Sequence, residues 1–83
     1  MNIIQTLINK KVNSITPKDL LKLSQQYQVY ITPDQANKVA AILNGKNYNI
    51  YDVEHKKQIL SQIANVTSKA TAQQIDIIFQ KLT

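Results

Sequence analysis

Apolar side chains recur along this chain at the three- and four-residue spacing of α-helices, and no stretch alternates apolar and polar residues convincingly as a strand does. The pattern marks five short segments separated by polar turns. Their apolar positions, in chain order, are Ile4, Leu7, Ile8 and Val12, with Ile3 at the margin; Leu20, Leu21, Leu23 and Tyr27; Ala36, Val39, Ala40 and Leu43; Val53, Ile59, Leu60, Ile63 and Ala64; and Ile75, Ile78, Phe79 and Leu82. We therefore predict an all-α fold, with residues 1–83 forming a single small domain of about five short helices packed as an orthogonal array or a bundle.

Two segments sixteen residues apart, Thr16–Asp19 and Thr32–Gln35, carry the same signal for the start of a helix. Each supplies a threonine as N-cap, a proline at the first helical position, and an aspartate or glutamine that completes a capping box. The isoleucines ahead of the caps, Ile15 and Ile31, are placed to pack as hydrophobic staples on the first turns. We expect the second and third helices to begin here.

The other helix boundaries are marked by polar residues and by the single glycine. The first helix is expected to end near Asn13, and the third at Asn44–Gly45, where glycine suits the left-handed conformation that follows a helix. For the fourth helix either Asn49 or Asp52 is a suitable N-cap, and the sequence leaves both open. A polar run over residues 65–71 separates the fourth helix from the fifth.

Several of these segments resemble the YqfT-like family of small uncharacterised proteins from Bacillus-type bacteria. The resemblance covers nearly the whole length and is carried by Met1-Asn2-Ile3-Ile4, Ser14-Ile15-Thr16-Pro17, Ile31-Thr32-Pro33, Gly45-Lys46-Asn47, Gln62-Ile63-Ala64 and Thr67-Ser68. These motifs are helix starts and core residues. Since the family has no assigned activity, substrate or site, the resemblance implies no functional residue.

The composition favours a reducing compartment. There is no cysteine, so neither disulfides nor thiolate metal sites stabilise the fold. Residues 1–11 lack the basic start and unbroken apolar run of a signal peptide. No apolar run approaches the roughly 20 residues of a membrane-spanning helix. We expect a cytoplasmic protein that does not act at a membrane.

The net charge of +5 comes from ten basic residues against five acidic ones, and every basic residue is a lysine. Lysine is a hydrated point charge without the bidentate fork with which arginine binds phosphate and guanine. The lysines are also spread along the chain, as on a solvated surface. A nucleic-acid partner is therefore less expected than a protein partner.

Catalytic and metal-binding side chains are scarce. His55 is the single histidine, and Asp52 three residues earlier could share its face of the fourth helix, which is the geometry of an orienting carboxylate. No nucleophile or second base accompanies them, and the five acids lack any recognised ligand spacing. Asp34 with Lys38, and Asp52 with Lys56, are spaced as ordinary helix ion pairs. We expect a protein that is not an enzyme and binds no cofactor or metal.

Protein–protein contact is the function that we predict, with an unknown protein as partner. Four tyrosines fall in or beside the loops that flank the third helix, where aromatic side chains can anchor a partner: Tyr27, Tyr30, Tyr48 and Tyr51. The isoleucine-rich first or last helix could also form a homodimer. Lys10 and Lys11 after the first apolar stripe would suit a membrane surface, but so short a stripe buries little area in lipid.

Nucleic-acid binding is the alternative. The second and third helices, joined by a short connection, could form a helix-turn-helix. The third helix would then present its polar residues to the major groove, namely Gln35, Asn37, Lys38 and Asn44. Against this, the connection lacks the usual glycine, and Asp34 lies at the end that would contact DNA.

Overall fold

The computed structural model describes residues 3–83 and contains five α-helices and no strand in that part of the chain. The helices are α1 (Ile3–Asn13), α2 (Pro17–Gln26), α3 (Pro33–Leu43), α4 (Val53–Val66) and α5 (Lys69–Leu82). The predicted all-α fold of five short helices is confirmed. Met1 and Asn2, which contribute to the family resemblance, lie outside the described residues.

Both predicted capping boxes are present. The side-chain hydroxyl of Thr16 accepts the N–H of Asp19 at 3.1 Å, and the Asp19 carboxylate accepts the N–H of Thr16 at 3.1 Å. Thr32 and Gln35 form the same reciprocal pair, at 3.1 and 2.9 Å. These four bonds satisfy amides that the first turn of a helix leaves without partners, so α2 and α3 begin where the sequence predicts.

The end of α3 also agrees with the sequence. Gly45 follows the helix with φ of +74°, a left-handed conformation that glycine adopts more readily than residues with a side chain. Its N–H donates to the backbone carbonyl of Asn13 at 2.9 Å. The end of α3 is thereby joined to the end of α1.

The N-cap of α4, for which the sequence allows Asn49 or Asp52, is Asp52. One carboxylate oxygen of Asp52 accepts two backbone N–H groups of the first turn, at 2.8 and 3.2 Å. Val53 is then the first residue of the helix and is 66% exposed. The prediction that Val53 belongs to the core is wrong, because a side chain at this position lies on the outer edge of the first turn.

The core lies between α2, α3, α4 and α5. The helix pairs that pack most extensively are α4 with α5, α2 with α3, and α3 with α4. Ile75, Ile78 and Phe79 of α5 are almost fully buried among them, and Ile50 adds a buried side chain from the loop before α4. The apolar face of α5 is therefore used within the chain itself.

One predicted ion pair forms and the other does not. Lys38 contacts Asp34 at 3.2 Å, as predicted. Lys56 contacts Asp76 of α5 at 3.0 Å instead of Asp52. The predicted pair is wrong because the Asp52 carboxylate caps α4, which leaves Lys56 free to join α4 to α5.

The prediction for the buried face of α1 is partly wrong. Ile4 is 66% exposed and Leu7 is 60% exposed, although both were expected in the core. Val12 is buried as predicted, and it shares the inner face of the helix with Asn9, a polar residue. Hydrogen bonds from that inner face determine the orientation of α1, as described below.

Replacing Thr16 or Thr32 by Ala should lower the free energy of unfolding by about 1 kcal/mol each, because one amide of the first turn loses its acceptor. Chemical denaturation monitored by circular dichroism measures the change. Ser61→Ala is the matched control: it removes an exposed hydroxyl from the interior of α4, and we expect little change. Unchanged midpoints in both threonine variants would contradict the capping boxes.

The capping box formed by Thr16 and Asp19 predicts a dependence of stability on pH. Hydrogen bonds from the backbone and side chain of Thr16 lower the pKa of Asp19 from its ordinary value. The stability that this carboxylate contributes is thus present above its unfolded-state pKa and is lost as the pH falls through the lower folded-state pKa. We expect the difference in unfolding free energy between the wild type and Asp19→Asn to change across this acidic range and to be constant near neutral pH. A difference that stays constant from neutral pH to about pH 2 would contradict this linkage.

Candidate interaction surface

Three asparagines, Asn9, Asn13 and Asn49, hold α1 against the loop that precedes α4, and we call them the asparagine clamp. Asn13 donates to the backbone carbonyl of Tyr48 at 2.8 Å and accepts the N–H of the same residue at 2.8 Å. Asn9 accepts the N–H of Ile50 at 2.9 Å and donates to the Asn49 side chain at 2.8 Å. An amide side chain suits this position because it both donates and accepts.

The clamp turns the polar side of α1 inward. Asn9 and Asn13 are four residues apart and share a helix face, which therefore lies against the loop. On the other side Ile3, Ile4 and Leu7 are neighbours at spacings of three and four residues, and they are 76%, 66% and 60% exposed. We call these three side chains the apolar stripe.

The four tyrosines differ in exposure. Tyr30 is 78% exposed, and its backbone N–H lies 3.4 Å from the side-chain oxygen of Gln74 in α5. The other three, Tyr27, Tyr48 and Tyr51, are half-buried and pack against the core. Among the four tyrosines, Tyr30 offers the greatest accessible surface to a partner.

The residues of the nucleic-acid alternative lie on or just after α3, but three of the four have contacts within the chain. The side chain of Gln35 accepts the backbone N–H of Thr32 in the capping box. The side chain of Asn44 donates to the backbone carbonyl of Ile15 at 3.1 Å. Lys38 is paired with Asp34. Asn37 is exposed. Reading base edges with Gln35 or Asn44 would require these internal bonds to break.

Acidic groups lie close to several of the lysines. Lys11 and Lys22 are near enough to Asp19 to contribute to its lowered pKa. Lys56 contacts Asp76 directly. Mixed charges of this kind weaken the attraction to a phosphate backbone, which depends on the lysines neutralising phosphates in place of counterions.

His55 holds the loop before α4 in place. Its Nδ1 accepts the backbone N–H of Asn49 at 2.9 Å, so this nitrogen carries no proton in the bond. The ring lies edge-on to Tyr48, with centroids 6.0 Å apart. The Asp52 carboxylate caps α4 through backbone amides, one of them that of His55. His55 and Asp52, whose spacing would allow an orienting carboxylate beside a histidine, are thus placed in local contacts of the loop and helix.

Two kinds of site are not found in residues 3–83. The histidine and acids of this part of the chain do not form a group of three able to hold a metal ion. Nor is any helix there both long enough and apolar enough to cross a membrane.

Sequence reasoning missed the orientation of α1 because it assigned the inner face by apolar spacing alone. The signal that could have found it is the pair Asn9 and Asn13 at a spacing of four, followed by an asparagine-rich loop at residues 44–49. Asparagine is unfavourable in helix interiors, and two on one face suggest that the backbone of another segment is their partner.

Replacing Asn13 by Ala removes its bonds to Tyr48 and to the carbonyl of Asn9. We expect a loss of roughly 1–3 kcal/mol in unfolding free energy, because the backbone groups of Tyr48 lose their partner. Hydrogen exchange at α1 and at residues 48–50 should also become faster.

Asn37→Ala, at an exposed site on α3, is the matched control for Asn13 and should change stability by less than about 0.5 kcal/mol. Equal effects of the two substitutions, measured by denaturation and hydrogen exchange, would mean that the asparagine clamp does not hold α1.

Comparison with known proteins identifies relatives of unknown function. The family model described as "Protein of unknown function (DUF2624)" matches residues 1–83. The chain is 40% identical over 83 residues to the "Uncharacterized protein YqfT" of Bacillus subtilis (strain 168), and the match covers 100% of this chain and 99% of that protein. No solved structure matches.

Proposed function

We propose, from the premise that the chain belongs to the DUF2624 family of proteins of unknown function, that it acts through protein–protein contacts and is not an enzyme. The apolar stripe on α1 is the main contact surface in this proposal. Its partner is another protein chain that covers these three side chains. We also propose the cytoplasm as its location, from the absence of cysteine, which suits a reducing compartment.

The observation that carries the proposal is the exposure of three adjacent aliphatic side chains on one helix. Full burial of one leucine or isoleucine side chain stabilises a protein by roughly 1.5–3 kcal/mol. Because the three side chains of the stripe are mostly exposed, they contribute little of this stabilisation to the chain by itself. Contiguous exposed apolar side chains are a common feature of surfaces that bind another molecule, and this feature supports the proposal. The clamp keeps the stripe outward, since turning Leu7 inward would break the hydrogen bonds of Asn9 and Asn13.

The contacts of His55 support the non-enzymatic part of the proposal. Its Nδ1 is bound to a backbone N–H, and the carboxylate nearest in sequence, Asp52, accepts amides of α4. A general base needs a free nitrogen or oxygen within hydrogen-bond reach of the substrate. These contacts give both groups a local structural role.

The test is affinity capture from a bacterial lysate, with and without nuclease treatment, using the wild type and Leu7→Lys as immobilised proteins. Lysine at position 7 places a charge in the centre of the stripe without filling or emptying the core, because Leu7 is exposed. We expect the wild type to retain at least one protein that Leu7→Lys loses by tenfold or more, as measured by quantitative mass spectrometry.

Val53→Lys is the matched control, since Val53 is similarly exposed but lies on α4. It should retain the same protein as the wild type. Tyr30→Lys, measured alongside, tests whether the exposed tyrosine is a second contact. Weaker retention of the captured protein would show that it is, and unchanged retention that it is not. Equal retention by the wild type and Leu7→Lys would contradict the stripe as contact surface, and recovery abolished by nuclease would instead favour nucleic acid.

A further inference from the structure

We propose that Asn44 is a site of spontaneous covalent modification, where asparagine is converted to aspartate and isoaspartate when the junction at the end of α3 opens. The inference concerns a different part of the fold from the apolar stripe and does not depend on the proposed function. It rests on the sequence at this position and on the hydrogen bonds that hold Asn44 and Gly45 in place.

The chemistry of this modification needs only the chain itself and water. The backbone nitrogen after an asparagine loses its proton to a base in the solvent and attacks the side-chain amide carbon. A new C–N bond closes a five-membered succinimide ring, while the bond to the amide nitrogen breaks and ammonia leaves with a proton from the solvent. Water then opens the ring at either carbonyl, which gives aspartate or isoaspartate without any change in oxidation state.

The residue that follows Asn44 makes it the most reactive asparagine of the sequence. A side chain on the attacking residue hinders ring closure, and glycine has none. Asn44 precedes Gly45, whereas every other asparagine precedes a lysine, serine, tyrosine, isoleucine or valine. Asn44 and Gly45 are both exposed, so water reaches the ring once it has formed. Sequence and exposure together select this position as the first to react.

The fold restrains both reacting groups. The attacking N–H, that of Gly45, donates to the backbone carbonyl of Asn13 at 2.9 Å. The amide group that would leave, that of Asn44, donates to the backbone carbonyl of Ile15 at 3.1 Å. A nitrogen held in this way keeps its proton, because losing it would leave the Asn13 carbonyl without a donor and facing a negative charge. These two bonds join the end of α3 to the turn between α1 and α2.

The backbone angle at Asn44 also opposes ring closure. Its ψ of 128° turns the Gly45 nitrogen away from the Asn44 side chain. A five-membered ring needs this nitrogen and the Cβ atom of Asn44 to be nearly eclipsed across the Cα–C bond, so this bond must rotate. Rotation moves the Gly45 N–H away from the Asn13 carbonyl. The reaction therefore proceeds through a locally opened state, and its rate follows the population of that state.

Neither product restores the junction. A carboxylate accepts hydrogen bonds and donates none, so aspartate at position 44 leaves the Ile15 carbonyl without its donor. Isoaspartate also inserts a methylene group into the backbone, which displaces the Gly45 N–H from the Asn13 carbonyl. Because the ammonia is lost to the solvent, the change is permanent. Modification therefore weakens the contact between α3 and the turn after α1 in every molecule that has reacted.

Incubation of the full chain at mildly alkaline pH, folded or unfolded in guanidinium chloride, tests the site and its restraint. Mass spectrometry of peptide digests locates each asparagine that has become an acid. The unfolded chain should react first at Asn44. The folded chain should react there at least about tenfold more slowly, because only its opened fraction reacts. Asn44→Gln, whose longer side chain would have to close a six-membered ring, is the control and should stay unmodified at this position.

Asn13→Ala tests whether the junction controls the rate. This substitution removes the side-chain bonds to Tyr48 and so loosens the end of α1, whose carbonyl holds the Gly45 N–H. Hydrogen exchange of the Gly45 amide and deamidation of Asn44 should then become faster by a similar factor, because both need the same opening. Asn37→Ala, at an exposed site on α3, should change neither rate. Circular dichroism checks that both variants are folded.

Asn44→Asp reproduces one product and tests its effect on the fold. It should lower the denaturation midpoint, because the bond to the Ile15 carbonyl is lost. Asn37→Asp introduces the same charge at an exposed site on the same helix and should have a smaller effect.

Three outcomes would overturn the inference. The first is modification of another asparagine ahead of Asn44 in the unfolded chain, and the second is an equal rate at Asn44 in the folded and unfolded chains. The third is faster exchange of the Gly45 amide in Asn13→Ala without faster deamidation. None of these outcomes involves the apolar stripe, so they leave the proposed function to be decided by the capture experiment.

Discussion

The hydrogen bonds between Asn13 and the backbone of Tyr48 are the constraint on which the outer surface of this protein depends. They hold α1 to the loop before α4 by polar contacts, and Asn9 extends them to Ile50. A helix held in this way is fixed in rotation as well as in position. Its apolar stripe is consequently exposed by the same bonds that keep α1 in the fold.

The other four helices fill most of the core, so hydrogen bonds rather than apolar packing hold most of α1 in place. A chain of 83 residues buries only about 60–65% of the surface that its unfolded form exposes, so its core is small. Here α2 to α5 fill that core, with Val12 as the main buried contribution from α1. Ile8 packs against the core in part, whereas Ile3, Ile4 and Leu7 add little to it and remain exposed.

Features that depend on a few neighbouring residues follow from the sequence. The capping boxes at Thr16 and Thr32 and the left-handed turn at Gly45 need only local geometry, and all of them form as predicted. Features that depend on competition between partners do not. Lys56 had a carboxylate within its own helix face and another on α5, and only the packing of α4 against α5 decides between them.

The sequence by itself determined that the chain is all-α, where α2 and α3 begin, where α1 and α3 end, and most of the apolar core residues of α2, α3 and α5. Each of these rests on helical periodicity or on capping, which act over four residues or fewer. The break expected over residues 65–71 was placed too broadly, because α4 continues to Val66 and α5 begins at Lys69. Only the tertiary structure decided which face of α1 is buried. That choice depends on bonds between Asn13 and Tyr48, 35 residues apart, because loop backbone groups acquire hydrogen-bond partners only once the chain has folded.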